Sequence, residues 1–333
     1  MKLLVLGGTR FVGRHLVGAA LARGHQVTLF HRGRHGGEIF PEAEHLHGDR
    51  EQDLSPLAGR RWDAVLDTSA YVPRVARASA EALADAAGLY LFVSTVSVYD
   101  SAAELPLTEG SPLAELEDPE TEEVGGSTYG GLKTLCERAV REVWGDRALV
   151  VRPGLIVGPD DYTDRFPYWP RRVAEGGEVL APGSPDAWWQ FVDARDLGEW
   201  MVRLVEEGRT GDFNADGLLR GVTAGEVLEC CREVGGSDAS LTWVPDDFLL
   251  EQGVKPFSDL PFWIPSSEGE LQGAYAVSVE KALAAGLTFR LLADTVRDTL
   301  AWDRARPEEE GGKGPGITRE RERELLEAWR ARS

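Results

Sequence analysis

Residues 2 to 24 constrain the chain most. Leu3 to Leu6 form an unbroken apolar run that leads straight into Gly7, Gly8, Thr9, Arg10, Phe11, Val12 and Gly13. Such a run is the pattern of a strand covered on both faces. Gly7 and Gly8 permit a sharp turn, which points the first amides of the next helix at whatever lies above the strand. Val12, Leu16, Ala19, Ala20 and Leu21 recur at helical spacing, and Gly13 lets helix and strand approach closely. A second apolar strand, Gln26 to Phe30, follows at once. These are the parts of the first half of a dinucleotide-binding unit, with a pyrophosphate on the helix N-terminus. Arg10 stands where the usual spacing has its middle glycine, so either the ligand sits slightly higher or the guanidinium contacts it.

The second strand closes on His31, Arg32, Gly33 and Arg34. An NAD-binding unit usually carries an acid here for the ribose 2′-hydroxyl, whereas two arginines suit a 2′-phosphate. NADP is therefore expected, with NAD as the alternative if Arg32 and Arg34 are merely solvated loop residues. The third strand ends at Asp49 and Arg50, where an acid can reach an adenine edge or simply serve a turn. Asp63 to Asp67 reads as a fourth buried strand, and Thr68, Ser69, Ala70 and Tyr71 leave its C-terminal end. Leu89 to Val93 is a fifth, ending in Ser94 and Thr95. Ligands of open α/β sheets bind at that edge. His45 and His47 share a strand face, but no cysteine or second histidine pair completes a ligand set, so no metal is expected.

Among 333 residues no segment approaches the roughly 20 apolar residues that span a bilayer. With a core strand at its start, the chain reads as cytoplasmic. Cys136 is isolated and Cys230 adjoins Cys231, which suggests no disulfide framework. The net charge of −20 argues against nucleic acid and anionic membranes as partners and leaves a small-molecule substrate.

Residues 100 to 127 are acidic and rich in proline and glycine, the composition of a lid or a disordered segment. The helix after them carries Tyr129 and Lys133, whose spacing of four puts phenol and ammonium on one face. A phenol with an ordinary pKa of about 10 needs roughly three units of depression, about 4 kcal/mol, to exchange a proton near pH 7. A neighbouring lysine supplies charge of the right sign. Lysine is scarce, occurring only at 2, 133, 255, 281 and 313, so its use beside a tyrosine is suggestive.

Together, the glycine turn, Asp49, the stretch from Ser94 and Thr95 to Val98 and Tyr99, and the Tyr129, Lys133 pair resemble the short-chain dehydrogenase/reductase superfamily. The arrangement is similar to its extended division, the NAD(P)-dependent epimerase/dehydratase type, over about residues 1 to 300. The finer pattern resembles an atypical branch that includes chloroplast stem-loop-binding proteins. The resemblance implies catalytic roles for Thr95, Tyr129 and Lys133. It also implies hydride transfer at a carbonyl or alcohol carbon, alone or as one step of an epimerisation or dehydration. The alternatives are a nucleotide-sugar epimerase or dehydratase, and a catalytically silent cofactor-binding regulatory or RNA-associated protein.

The expected architecture is α/β, a doubly wound parallel (Rossmann) sheet with a smaller, split C-terminal substrate lobe. Residues 1–158 and 189–217 would form the dinucleotide-binding domain, and 159–188 with 218–304 the lobe. Residues 305–333 read as a linker and a docking helix carrying Leu325, Leu326 and Trp329, which docks in cis or on a partner subunit in a homodimer. In sugar-nucleotide epimerases an arginine commonly holds the substrate pyrophosphate before the strand that returns to the sheet. Trp189 falls at that place here, so an indole wall with Trp169 is expected to favour a substrate without a diphosphate. In the alternative reading the tryptophans fill the core and Arg165 or Arg171 takes the phosphate.

Overall fold

The computed structural model describes residues 1–34, 39–267, 273–307 and 314–332. Residues 308–313 of the expected linker lie outside them. The chain divides into two compact units: Met1–Ile156, Ala194–Gly217 and Val277–Thr288 form one, and Val157–Asp193, Leu218–Ala276 and Phe289–Ser333 the other.

The first unit is built on a sheet of seven strands among the described residues. Six of them are β1 (Lys2–Leu6), β2 (Gln26–His31), β3 (Glu44–His47), β4 (Ala64–Asp67), β5 (Leu89–Val93) and β6 (Ala148–Pro153), and Gly211–Ala215 is the seventh. The order runs Gly211–Ala215, β6, β5, β4, β1, β2, β3, and every pairing is parallel. Parallel strands need a crossover between neighbours, and the helices that provide it cover both faces. Leu4, Leu6, Val65, Tyr90, Phe92 and Val150 point to one face. There they meet Ala76, Ala80 and Leu83 of α2 (Pro73–Leu83) and Cys136, Val140 and Trp144 of α3 (Tyr129–Trp144). On the other face lie α1 (Phe11–Ala22) and the helix Ala194–Glu206. Gly198 packs so tightly there that a Cβ would stand 2.9 Å from the backbone nitrogen of Leu16. This is the doubly wound sheet expected from sequence.

The acidic segment after Tyr99 is not loose over its first half. Tyr99 bridges Leu113, Leu107 bridges Val277, the Ala114 amide donates to the Val98 carbonyl at 2.7 Å, and Glu109 Oε1 accepts the Asn214 amide at 2.9 Å. The bridge to Val277 ties 277–288 to the first unit, where Trp200 Nε1 also donates to the Ala285 carbonyl.

In the second unit, Glu178–Pro182 and Ser240–Val244 pair in parallel, and Ala224–Gly235 begins with a capping box of Thr223 and Glu226. Residues 189–193, placed with the sheet from sequence, group with this unit because Trp189 belongs to its aromatic cluster. The C-terminal helix Arg319–Arg332 docks in cis. It buries Leu325 and Leu326, sets Trp329 edge-on to Phe248 with ring centroids 5.1 Å apart, and pairs Glu322 with the buried Arg172 at 2.7 Å.

Candidate active site

At the end of β1 the backbone is shaped as a cradle. Gly7 and Gly8 take φ of 99° and 85°, values that side chains disfavour. A Cβ on Gly7 would lie 2.7 Å from Thr68 Oγ1, and one on Gly13 2.9 Å from the Gly8 Cα. Phe11, buried at the start of α1, is itself held at φ 36°. No side-chain hydrogen bond caps the helix at Arg10, and the leading amides of a helix have no partner within it. Such a turn fits a pyrophosphate, with Thr9, Arg10 and Val12 around it.

The ends of the other strands lie beside this turn. Thr68 and Ser69 hydroxyls donate to the Leu6 carbonyl at 3.0 and 3.3 Å, and Ala70 is fully buried. The Asp49 carboxylate accepts the Glu51 amide at 3.1 Å, so its nearest task is a turn. Arg50 corrects the sequence reading. Its guanidinium is locked on Asp67 at 2.6 and 2.7 Å and on Ser79, inside the unit, so it is not presented to a cofactor. Burial disfavours the Asp67 charge, but Arg50 outweighs it and holds the carboxyl below its ordinary range. Tyr90 adds a hydrogen bond to Asp67 at 2.7 Å. An acid at the end of an otherwise apolar strand was the visible sign of this network.

Thr95, Tyr129 and Lys133, the expected catalytic set, lie just after β5 and on α3. Thr95, buried, accepts the Ser97 amide at 3.1 Å and donates to Ser97 Oγ at 3.2 Å. Gly130 brings α3 onto this turn: a Cβ there would sit 2.0 Å from the Ser97 carbonyl oxygen. Thr134 also donates to the Val98 carbonyl, at 3.3 Å. Lys133 is buried, and its ammonium donates to the carbonyls of Ala70 and Val93 at 2.9 and 2.8 Å. An ammonium has three donors, so one N–H remains for a ligand. Nζ lies 5.7 Å from the Tyr71 ring centre, and the Tyr71 and Tyr129 rings are 6.5 Å apart, which gathers Tyr71, Tyr129 and Lys133 into one cluster. Burial draws the Lys133 pKa down to about 8. Ser94 Oγ, buried beside Thr95, has no hydrogen-bond partner among the described residues.

Sequence reasoning missed the anchor beneath this group. Glu137, one turn beyond Lys133, forms a bidentate pair with the buried Arg152 of β6 at 2.9 and 2.7 Å. Arg152 also donates to Tyr99 Oη at 3.0 Å, and Tyr99 donates to Asn214 Oδ1 at 2.5 Å. Tyr129, Lys133 and Glu137 thus form one stripe of α3, which Glu137 attaches to β6 through Arg152.

The substrate residues expected in the second unit divide. Trp169 is fully buried, donates to the Pro261 carbonyl at 2.8 Å and packs on Trp189, which packs on Phe262. These indoles are core, which corrects the expectation of a ligand wall. Arg171 is tied to Asp303 at 2.7 and 2.9 Å and to Asp164. Arg165 donates its Nε to Thr163 at 3.0 Å, its guanidinium lies 6.0 Å from the Phe257 ring centre, and its charge acts on the buried Asp161 carboxylate.

A doubly wound parallel sheet with a glycine cradle at its first strand defines a dinucleotide-binding α/β protein. The chain belongs to the NAD dependent epimerase/dehydratase family, which matches residues 3–215. It is 26% identical over 258 residues to the chloroplast stem-loop binding protein of 41 kDa b from Arabidopsis thaliana, covering 71% of this chain and 63% of that one. The chain therefore spans less than two thirds of that relative's length. Epimerase family protein SDR39U1 of Bos taurus is 28% identical over 276 residues, covering 76% and 86% of the two chains. Among solved structures, the UDP-glucose 4-epimerase of Thermotoga maritima with UDP-glucose superposes with a TM-score of 0.66 at 19% identity, over 91% of this chain and 99% of that one. WbmH of Bordetella bronchiseptica, in complex with NAD+, gives 0.66 at 17% identity over 91% and 98%. At these identities the structural likeness is one of fold. No helix among the described residues is long and apolar enough to cross a membrane.

Proposed function

We propose that this protein is an oxidoreductase or epimerase that transfers hydride at a carbonyl or alcohol carbon, using NADP. A bound nicotinamide supplies the hydride acceptor or donor. Tyr129 is the general acid/base, and Thr95 hydrogen-bonds the substrate oxygen by turning its hydroxyl from Ser97. Lys133 favours the phenolate and offers its remaining N–H to the cofactor ribose. The observation that carries this reading is Lys133 itself. A desolvated ammonium fixed by two backbone carbonyls, one turn from a tyrosine, is an arrangement with no structural need for a charge. It also disfavours a catalytically silent role. NADP is favoured by Arg32 and Arg34, both exposed, and by an imidazole in place of an acid at 31.

Tyr129→Phe should retain the fold and dinucleotide affinity and lose turnover by about two orders of magnitude or more. Nicotinamide absorbance with NADP and a panel of aldoses, secondary alcohols and nucleotide sugars reads this. Wild-type turnover in the variant on any substrate found would refute the assignment.

A second reading concerns the substrate. With Trp169 and Trp189 in the core, no indole wall stands against a diphosphate, and Arg165, whose Nε alone is hydrogen-bonded among the described residues, offers its terminal N–H groups to an anion. A nucleotide sugar is therefore the second candidate class. Stabilisation by UDP- or dTDP-hexoses that is lost in Arg165→Ala would select it.

A further inference from the structure

The ends of β2 and β3 carry a group of imidazoles that the chemistry above does not use. Gly33 N donates to His31 Nδ1 at 3.1 Å, His31 Nε2 lies 2.9 Å from His45 Nδ1, and His45 Nε2 lies 3.2 Å from the Phe40 carbonyl oxygen. His47 meets His31 edge-on, with ring centres 4.9 Å apart. Only one distribution of protons satisfies this series. The Phe40 carbonyl can only accept, so His45 Nε2 carries a proton. His45 Nδ1 then accepts, which requires the proton of His31 on Nε2 and leaves its Nδ1 to accept from Gly33. A further proton on either ring would set two donors against each other. His31 is buried, and burial together with His47 and His45 draws its pKa down to about 4.

The wire ends on a demanding turn. Gly33 takes φ of 69°, and a Cβ on it would stand 3.1 Å from His47 Nδ1. This turn presents Arg32 and Arg34. Groups facing His31 are His45 and His47 from β3, and the two arginines flank it on its own strand end.

We propose that the uncharged wire from Gly33 through His31 and His45 to Phe40 positions the Arg32, Gly33, Arg34 turn to receive a ribose 2′-phosphate. The inference rests on the NADP reading and deepens it. His31 and His45 act through the turn, as positioning residues. Their loss removes affinity for the 2′-phosphate while leaving the rest of the dinucleotide held by the glycine cradle.

Calorimetric titration of the full chain with NADP+ and with NAD+ tests this. Wild type should bind NADP+ at least tenfold more tightly. His45→Leu should weaken NADP+ about tenfold and leave NAD+ within twofold, the NAD+ value doubling as a check on folding. His31→Asn, which can accept from Gly33 and donate to His45, should keep most of the NADP+ preference, whereas His31→Asp should reverse it. If wild type prefers NADP+ and His45→Leu keeps the same ratio, the wire has no such role although the cofactor reading stands. If wild type shows no preference for NADP+, the cofactor reading fails and the wire's role in phosphate recognition falls with it. Should His45→Leu fail to fold, His45→Met gives the same comparison with an apolar side chain of a different shape that can neither accept from His31 nor donate to Phe40.

Discussion

Asp216 sits in an environment that disfavours its charge. It ends the strand Gly211–Ala215 fully buried, with one hydrogen bond, from the Gly217 amide at 2.8 Å, and its Oδ2 has no partner among the described residues. A Cβ on Gly154 would stand 1.7 Å from that oxygen, so only glycine there leaves room for the carboxyl. Burial raises the Asp216 pKa well above the ordinary carboxylate range, and the Gly217 amide offsets only part of this. The sign follows. The folded protein holds this proton more tightly than the unfolded chain, so the group's contribution to stability is full below about pH 4 and declines as pH rises through the folded pKa. Asp216→Asn removes the titration. We expect it to gain roughly 1 to 3 kcal/mol over wild type at pH 8 and little at pH 4. Urea unfolding at both values reads the difference, and parallel behaviour of the two proteins would show that Asp216 is solvated or paired.

At the scale of the element, α3 decides how Tyr129 and Lys133 stand against the turn that carries Thr95. Alanine is about 1 kcal/mol better than glycine inside a helix, so Gly130→Ala should help α3 taken alone. In the protein the new methyl carbon would lie 2.0 Å from the Ser97 carbonyl oxygen, and backbone cannot yield as a side chain tip can. The helix must then lift from the turn that carries Thr95. We expect a net loss of about 1 to 3 kcal/mol and a larger proportional loss of turnover than of cofactor affinity, since the glycine cradle lies on other elements. Turnover within twofold of wild type would mean that α3 can move without consequence. Tyr129 and Lys133 were legible from their spacing. Gly130 and Gly131 between them read only as poor helix formers, because the contacts that require them, to Ser97 and Leu116, come from distant parts of the chain.

Over the whole molecule, each unit has its own buried ion pairs, and they hold distant segments of sequence together. In the second unit Arg172 donates to Glu322 at 2.9 and 2.7 Å, and Glu322 Oε1 also accepts the Leu180 amide at 3.0 Å. Removing one partner leaves a buried charge unmatched, at a cost of about 3 to 5 kcal/mol. Glu322→Leu should therefore lower the thermal transition of the second unit strongly, and adding Arg172→Met should recover much of the loss. A double variant as unstable as the single one would show that the attachment lies in Leu325 and Leu326 instead.

Local pattern was enough for whatever depends on neighbours in sequence. The apolar runs of β1, β2, β4 and β5, the glycine cradle, the Tyr129, Lys133 stripe and the apolar stripe of the last helix all follow from spacing, because strand and helix periods fix which side chains share a face. The family followed from the order of those motifs. Partnership across the chain was decided only by the tertiary structure. Arg50 is an apparent cofactor ligand until Asp67 and Ser79 close on it, and Trp169 and Trp189 are an apparent substrate wall until Pro261 and Phe262 surround them. His31, His45 and His47 become a wire only when β2 and β3 pair in register, with His31 opposite His47. Whether a charged or aromatic side chain serves a ligand or the core depends on which partner reaches it first, and that partner is set by the packing of segments far apart in sequence.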